Sequence, residues 1–345
     1  LSSFSTISTI LYILVYIVIS NRNNIFYIIT YKKIYVNLEK NFFTVSKDVY
    51  ASVNDLLDEN KRKNGIQKEE KQEINFVEEQ DVFQNLIGSN GSLKNPIEQM
   101  KTSIFYPNTS LPVFLHGPTG SGKSFMARKI YEFAVQEGIL KPDAPFIIMN
   151  CAQYVNNIEL LSSNLFGYVK GAFTGAYATT KGLLEAADGG MLFLDEVHRL
   201  NSESQEKLFV FLDQGIFRRM GESEGWHKAK VRMVMATTEN LESNFLDTFL
   251  RRIPIVVQIP SLRERGEQER LQFIYHFFIE ESKVLDKKMK VSGNVIEALL
   301  NHLYQGNIGD LENKIKFICA TAYAKKKRKN EIDIHLEHLP EDVLK

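Results

Sequence analysis

The chain has 345 residues, of which 44% are hydrophobic, so it can bury a sizeable core in one large domain or two smaller ones. Lysine plus arginine and aspartate plus glutamate number 42 each, which excludes a basic field over the whole chain as the basis for holding nucleic acid. The cysteines, Cys151 and Cys319, have neither metal nor redox spacing, and we predict buried thiols in a reducing, cytoplasmic compartment.

The first 45 residues differ in composition from the rest, with isoleucine, tyrosine, asparagine and lysine dominating. Residues 10–19 form an unbroken apolar run, whereas a membrane-spanning helix needs roughly 20 such residues. A membrane anchor and a poorly packed apolar extension are the alternatives, and the composition favours the extension. Residues 46–82 are rich in lysine, glutamate, glutamine and asparagine, which predicts a charged linker or a solvated helix.

Apolar strands alternate with helical segments from residue 83 to residue 263. Short apolar runs predict strands at residues 113–116, 146–149, 191–194, 231–235 and 255–257. Helices are predicted at 95–100 and at 122–136, the latter with Phe125, Ile130 and Phe133 or Ala134 turned inward. Buried strands separated by helices are typical of a mostly parallel sheet covered on both faces, so we predict an α/β domain over residues 83–263.

Beyond residue 263 the pattern is helical. Residues 267–284, 294–304 and 309–325 predict three helices, and in the last Leu311, Ile315, Ile318 and Ala322 recur at helical spacing. We therefore predict a small helical domain over residues 264–345. The basic run at 325–329 (KKKRK) is interpreted as solvated lysines at a helix end rather than as a DNA contact.

The sequence GPTGSGKS at residues 117–124 has the spacing of a phosphate-binding loop (P-loop). Glycines let the backbone N–H groups turn toward phosphate oxygens, and the helix that follows contributes its positive end. Lys123 is predicted to reach the β- and γ-phosphates, and Ser124 to hold Mg²⁺ through its hydroxyl. The residues of the loop predicted to bind the triphosphate are Gly117, Pro118, Thr119, Gly120, Ser121, Gly122, Lys123 and Ser124.

A second motif is the apolar strand at 191–194, which ends in Asp195 and Glu196. Buried strands rarely end in two adjacent carboxylates without a chemical use. Asp195 is predicted to organise Mg²⁺ and its waters, and Glu196 to orient and deprotonate the attacking water. Together with the phosphate loop, this strand end predicts binding and hydrolysis of a nucleoside triphosphate.

Between the two motifs, residues 171–176 (GAFTGA) place two glycines and two alanines around one ring and one hydroxyl, which is typical of a mobile tip. These segments together resemble the AAA+ domain of bacterial sigma-54-dependent activators over residues 83–325. The resemblance also involves NCA at 150–152, LFG at 165–167, ADGG at 187–190, FRRMG at 217–221, PSLRER at 260–265 and GNI at 306–308. The hexapeptide is close to diagnostic of that family.

The resemblance implies a ring, expected to be a hexamer, that binds ATP between neighbouring subunits. Hydrolysis is then expected to move a loop that contacts sigma-54 and RNA polymerase in the closed promoter complex and drives that complex open. Phe173 is the expected contacting side chain, and Thr174 a hydrogen-bonding member of the same tip. The whole expected partner segment is Gly171, Ala172, Phe173, Thr174, Gly175 and Ala176.

The resemblance also assigns residues around the nucleotide. Asn150 falls where the family has a switch asparagine that senses nucleotide by contacting the catalytic glutamate, here Glu196. Arg251 falls where an arginine reaches into the nucleotide site of the neighbouring subunit. Further nucleotide contacts are expected from Ile87, Gly88 and Thr237.

Three positions depart from the family pattern. Thr238 replaces an asparagine, Phe245 occupies the place of a first arginine, and Gly309 that of a nucleotide-sensing arginine. With these changes the chain looks like the subfamily of the levanase-operon regulator, whose members carry sugar phosphotransferase-system regulation domains. We therefore expect control of sugar-uptake genes, with Arg251, assisted by Arg252, reaching the neighbouring nucleotide.

Whole members of that subfamily begin with a winged-helix DNA-binding domain and continue well beyond the helical domain. We expect a partial or damaged member, which would reach promoter and enhancer DNA through a domain not legible here and would make no membrane contact. Two alternatives stay open. One is a remodelling AAA+ ATPase of another class, which has no reason to keep the hexapeptide. The other is a non-enzymatic regulator that binds ATP as a structural ligand, suggested by the altered arginine and sensor positions.

Overall fold

This computed structural model describes residues 42–45, 81–106, 111–325 and 331–344. The chain divides into two compact units, one made of Glu78–Gly266 and Gln305–Gly309, the other containing Glu267–Tyr304 and Asp310–Lys345. The predictions for residues 1–41 and 46–80, and most of the basic run at 325–329, lie outside the described residues. Within the described ranges, no helix is both long and apolar enough to cross a bilayer.

Helices and strands follow one another along both units. The strands are β1 Phe42–Val45, β2 Val113–His116, β3 Phe146–Asn150, β4 Gly167–Tyr168, β5 Thr180–Lys181, β6 Met191–Asp195, β7 Ile216–Phe217, β8 His227–Lys228, β9 Arg232–Thr237, β10 Ile255–Gln258, β11 Lys288–Ser292 and β12 Glu331–Ile334. The helices are α1 Lys94–Phe105, α2 Lys123–Gln136, α3 Ile158–Phe166, α4 Leu183–Ala186, α5 Ser202–Gln214, α6 Leu241–Asn244, α7 Asp247–Leu250, α8 Gly266–Leu285, α9 Gly293–Asn301, α10 Asn307–Lys325 and α11 Glu341–Leu344. Short 3-10 helices lie at Cys151–Tyr154, Val197–Arg199 and Leu336–His338.

The first unit is built on a parallel sheet with the strand order β10-β2-β9-β6-β3. This confirms the α/β architecture predicted from the alternating pattern. Because every pairing is parallel, the carboxyl ends of the strands lie along one edge, where ligands bind in open α/β sheets. In the pairing register, His116 lies opposite Thr237, and Asn150 lies opposite Asp195.

The sheet has a hydrophobic core on each face. Along β6, Met191 and Phe193 belong to one cluster, whereas Leu192 and Leu194 belong to the other. This alternation follows from the two-residue period of a strand, and a strand that is buried on both faces is apolar at every position. Cys151 and Cys319 are buried and free, as predicted, and burial raises the pKa of both thiols.

One inward-facing residue was predicted wrongly in α2. Ile130, Phe133 and Ala134 are buried, but Phe125 is 53% exposed. The buried stripe of α2 continues through Met126 instead. Each residue of a helix is rotated by about 100° from the previous one, so Phe125 lies beside the stripe and faces outward.

The second unit contains the three predicted helices as α8, α9 and α10, and it also contains strands that the sequence analysis missed. Strands β1, β11 and β12 form a three-stranded sheet in that order, with β1 antiparallel and β12 parallel to β11. Strand β11 has a two-residue period, in which Met289 and Val291 are buried and Lys288 is exposed. Leu311, Ile315, Ile318 and Ala322 are buried along α10, as predicted.

We predict that Phe193→Ala lowers the free energy of unfolding of the first unit by about 3–5 kcal/mol, because this fully buried ring belongs to β6, an interior strand of the sheet. Phe125→Ala is the matched control and should cost about 0.5 kcal/mol or less, since its ring is largely exposed. Urea unfolding can be followed by the fluorescence of Trp226, the single tryptophan of the chain, which lies in the same unit. Equal losses in the two variants would contradict the assigned core.

Candidate functional site

The loop between β2 and α2 depends on glycines at two positions. Gly120 and Gly122 have φ angles of 72° and 101°, in the left-handed region that favours glycine. A Cβ at Gly120 would also lie 2.0 Å from the carbonyl oxygen of Gly306, so no other residue fits there. Asn307 holds the loop from the same side, donating from its amide nitrogen to the Thr119 carbonyl at 2.8 Å.

Lys123 is a buried cation at the start of α2. Its Nζ donates to the carbonyl oxygens of Gly117 at 2.8 Å and Pro118 at 3.1 Å. Burial lowers the pKa of this ammonium, and the negative charges of Glu196 and Asp195 oppose that shift. A lysine that rests on carbonyls of the loop can exchange them for phosphate oxygens, so the arrangement fits a polyphosphate.

An oxygen pair bridges α2 and the end of β6. Ser124 Oγ donates to Asp195 Oδ2 at 3.2 Å, and the other carboxylate oxygen of Asp195 accepts the N–H of Glu196 at 3.0 Å. Hydroxyl and carboxylate oxygens suit Mg²⁺, which usually binds through one or two such ligands together with phosphates and water. The described residues contain no group of three or more His, Cys, Asp or Glu that could hold a metal alone, so the pair fits a metal shared with a nucleotide.

The backbone of Glu196 has an unusual left-handed conformation. Its φ angle is 51°, which is uncommon for a residue other than glycine. Its Oε2 accepts from Thr238 Oγ1 at 3.4 Å and lies 3.5 Å from His198 Nδ1. His198 Nδ1 is also 3.0 Å from Thr237 Oγ1. Sequence reasoning missed His198, although a histidine two residues after the second carboxylate of the DE pair was a legible signal.

Burial disfavours the charged form of His198. Desolvation lowers the pKa of its imidazole, and the nearby Glu196 carboxylate opposes the shift. Thr237 is fully buried, its Oγ1 lies 3.0 Å from His198 Nδ1, and its carbonyl accepts the N–H of Gly117 at 3.4 Å. The end of β9 is therefore tied both to the phosphate loop and to the histidine beside Glu196. The contact of Thr237 with nucleotide stays a prediction.

The remaining predicted nucleotide contacts lie at ordinary structural positions. Asn150 Oδ1 accepts the N–H of Ala152 at 2.9 Å and so caps the 3-10 helix that follows β3. Asn150 lies opposite Asp195 in the sheet, but its contact with Glu196 stays a prediction. Gly88 has a φ angle of 88°, and its carbonyl accepts the N–H groups of Gly91 and Leu93, just before α1. For Ile87 and Gly88, contact with a nucleotide also stays a prediction.

The arginine positions differ in their surroundings. Arg251 is exposed just after α7, and its contact with the nucleotide of a neighbouring subunit stays a prediction. Arg252 bonds to Asp213 Oδ1 at 2.8 Å. Phe245 is only 7% exposed, its ring meets Phe114 edge-on at 5.2 Å, and the place of the family's first arginine is therefore part of the core. A Cβ at Gly309 would meet no atom within 4 Å.

The hexapeptide closes a hairpin whose base is the antiparallel pair β4 and β5. The N–H of Gly171 donates to the carbonyl of Ala176 at 2.9 Å, which ties the two ends of the hexapeptide together. Phe173 is 37% exposed, and its ring centre is 5.0 Å from that of Tyr168. Thr174 is exposed, so the tip offers both a ring and a hydroxyl to a partner.

A second hairpin, β7–β8, supports the first, and the sequence analysis did not anticipate this. The N–H of Met220 donates to the carbonyl of Gly167 at 2.9 Å, and the N–H of Val169 donates back to Met220 at 3.1 Å. Arg219 makes two hydrogen bonds of 2.8 Å to the carboxylate of Glu185. The base of the hexapeptide loop is thus held by backbone bonds and by a bidentate ion pair.

Residues 86–256 match the family model described as Sigma-54 interaction domain. Through these residues, the chain belongs to the Sigma-54 interaction domain family. The match confirms the resemblance on which the hexapeptide was interpreted.

Two curated relatives and one solved structure extend the family comparison. The chain is 46% identical over 259 residues to the transcriptional regulatory protein LevR of Bacillus subtilis, covering 75% of this chain and 28% of LevR. It is 42% identical over 246 residues to the transcriptional regulatory protein DagR of Salmonella typhimurium, covering 71% of this chain and 26% of DagR. The chain therefore spans about a quarter of the length of these relatives.

The solved structure of NtrX from Brucella abortus in complex with ADP has a TM-score of 0.60 at 21% identity, covering 86% of this chain and 60% of that chain. At this identity the likeness bears on the fold, and it confirms the predicted AAA+ architecture.

We predict that Phe245→Arg, which restores the arginine usual in sigma-54 activators, lowers the free energy of unfolding by about 3 kcal/mol or more. The substitution removes a buried ring and puts a charge in its place. Phe245→Leu is the control and should cost clearly less, because it keeps an apolar side chain. Urea unfolding measures both variants. An arginine variant as stable as the wild type would show that this position can leave the core.

Proposed function

We propose that the chain is an ATP-hydrolysing activator that remodels the closed complex of sigma-54 RNA polymerase. The observation that carries this proposal is the presence, in one compact unit, of the exposed hexapeptide tip and of a strand edge that holds Lys123, Asp195 and Glu196. Membership of the Sigma-54 interaction domain family and similarity to proteins named as transcriptional regulators support it.

The residues of the strand edge have distinct roles in the proposed hydrolysis. The phosphate loop binds the polyphosphate through its N–H groups, and Lys123 balances the charge that develops on the transferred phosphate. Ser124 and Asp195 would hold Mg²⁺, which supplies charge neutralisation between the phosphates. Glu196 orients the attacking water and accepts its proton as general base.

A short stretch of chain links the nucleotide edge to the hexapeptide. The 3-10 helix Cys151–Tyr154 and helix α3 lead from Asn150 to β4, which opens the hexapeptide hairpin. Helices move as rigid bodies in conformational changes, so a displacement at the end of β3 is carried along α3 to the tip. We therefore assign the nucleotide-dependent motion to α3 and the hairpin that follows it.

The proposed assembly is a ring, expected to be a hexamer, in which Arg251 reaches the nucleotide of the neighbouring subunit with Arg252 beside it. An arginine supplied in this way contributes about 10³–10⁵ to the rate of phosphoryl transfer. Because the chain looks like the subfamily of the levanase-operon regulator, we also propose control of sugar-uptake genes and a cytoplasmic site of action. Contacts with promoter and enhancer DNA would be made through a further domain.

A second candidate function is a regulator that binds ATP without hydrolysing it. It is favoured by the burial of Phe245 in the core and by the glycine at position 309, since two arginines that act on nucleotide in the family are thereby missing. Both candidates need ATP binding, so only turnover distinguishes them.

We predict that the wild-type chain hydrolyses ATP and that Glu196→Gln lowers turnover by about 100-fold or more, because the amide cannot accept a proton from water. Binding of a fluorescent ATP analogue should be retained, since the substitution leaves the phosphate loop intact. Phosphate release measures turnover. Wild-type turnover no greater than that of the glutamine variant would favour the non-enzymatic regulator.

We predict that Thr174→Ala abolishes capture of sigma-54 by the chain loaded with ADP and aluminium fluoride, because the exposed hydroxyl belongs to the partner-contacting tip. Its ATP turnover should persist, since the tip is separate from the nucleotide edge. Thr102→Ala, another exposed threonine, on α1, is the matched control and should capture sigma-54 normally. Co-purification provides the measurement, and capture by the Thr174 variant would show that the loop is not the contact.

A further inference from the structure

His198 lies between the proposed general base and the carboxyl end of β9. Its side chain is only 5% exposed, and the 3-10 helix Val197–Arg199 fixes its backbone. The Nδ1 atom is 3.0 Å from Thr237 Oγ1 and 3.5 Å from Glu196 Oε2. One ring nitrogen therefore faces both a fixed hydroxyl and the carboxylate that is proposed to activate water.

The hydroxyl on the far side of this contact is buried and makes a second hydrogen bond. Thr237 is fully buried in β9, and its Oγ1 also accepts the N–H of Glu239 at 3.1 Å. The neighbouring Thr238 donates to Glu196 at 3.4 Å, and its target is the same oxygen, Oε2. Two neighbours on one side thus engage Oε2, which leaves Oε1 as the oxygen that can face an attacking water.

We infer that His198 is a positioning residue, whose Nδ1–H is shared between Thr237 and Glu196 and aims the Glu196 carboxylate at the attacking water. The inference rests on the proposed ATP hydrolysis and adds a residue to it. A carboxylate beside Nδ1 favours the tautomer that carries its proton there. Burial lowers the pKa of the ring and so favours its neutral form, in which Nδ1–H can donate a hydrogen bond to Glu196.

The proposed role of His198 uses Nδ1 and not Nε2, so substitutions that replace one nitrogen or the other can test it. His198 Nε2 is buried and has no hydrogen-bond partner among the described residues. An asparagine side chain reaches the position of Nδ1, whereas a glutamine amide extends to the position of Nε2. His198→Asn can therefore restore the donor to Thr237 and Glu196, and His198→Gln cannot. His198→Leu keeps the bulk and removes the donor.

The experiment measures steady-state ATP hydrolysis by the full 345-residue chain, with binding of a fluorescent ATP analogue and thermal unfolding on the same samples. His198→Leu and His198→Gln should lower kcat by about 10- to 100-fold, the order expected when a catalytic group is misplaced by about 1 Å. KM and analogue affinity should stay near wild type, and His198→Asn should restore most of kcat. A purely structural histidine would show losses that follow stability, with no preference for asparagine over glutamine.

Combining the substitutions tests whether His198 acts through Glu196. In a single-turnover assay, Glu196→Gln with His198→Leu should be no slower than Glu196→Gln alone, because residues that act as a unit are non-additive. Unchanged kcat in the leucine variant, equal loss in the asparagine and leucine variants, or additive losses in the double variant would each overturn the inference. If the leucine variant does not fold, the comparison of kcat between His198→Asn and His198→Gln tests the inference. A wild type no faster than Glu196→Gln would overturn the hydrolysis proposal as well.

Discussion

Parallel pairing of β2, β9, β6 and β3 is the constraint on which the rest of the molecule depends. In a parallel sheet the carboxyl ends of all strands meet along one edge, so polar residues that are far apart in the chain become neighbours. The pairing register places His116 beside Thr237, and Asn150 beside Asp195. The interior strands β2, β9 and β6 are buried on both faces, which gives the edge a rigid base.

On that edge, one ammonium and two carboxylates lie near one another without forming an ion pair. The Lys123 ammonium rests on backbone carbonyls rather than in an ion pair with Asp195 or Glu196, although both carboxylates influence its pKa. The charges are therefore available to a ligand that carries both signs, as a polyphosphate with its metal does. The left-handed backbone of Glu196 stores strain of about 1–3 kcal/mol, which the surrounding sheet sustains.

Sequence periodicity predicted the elements whose signals are local. The central strands and the phosphate loop follow from runs of neighbouring residues, and the structure contains them within a few residues of the predicted bounds. Phe125 was misassigned because a helical stripe has a width that apolarity alone does not define. Strand β11 was missed because its two-residue alternation is short and lies between two helices.

The contacts that the sequence did not reveal join residues distant along the chain. His198 and Thr237 are 39 positions apart in the sequence, and Arg219 and Glu185 are 34 apart. No local pattern therefore predicts either contact. Phe245 is a similar case. The sequence showed that a phenylalanine stands where the family has an arginine. The structure adds the reason, because the buried ring of Phe245 packs on Phe114 in the core.

The phosphate loop is held through two of its carbonyl oxygens. Asn307, with a left-handed φ of 54°, donates to the Thr119 carbonyl and accepts the N–H of Leu262 at 3.0 Å. The N–H of Ile308 donates to the carbonyl of Gly120 at 3.1 Å. These bonds occupy carbonyl oxygens of the loop, and N–H groups are what a phosphate needs. The loop is thereby preorganised by its own unit, which lowers the cost of ordering it when a phosphate binds.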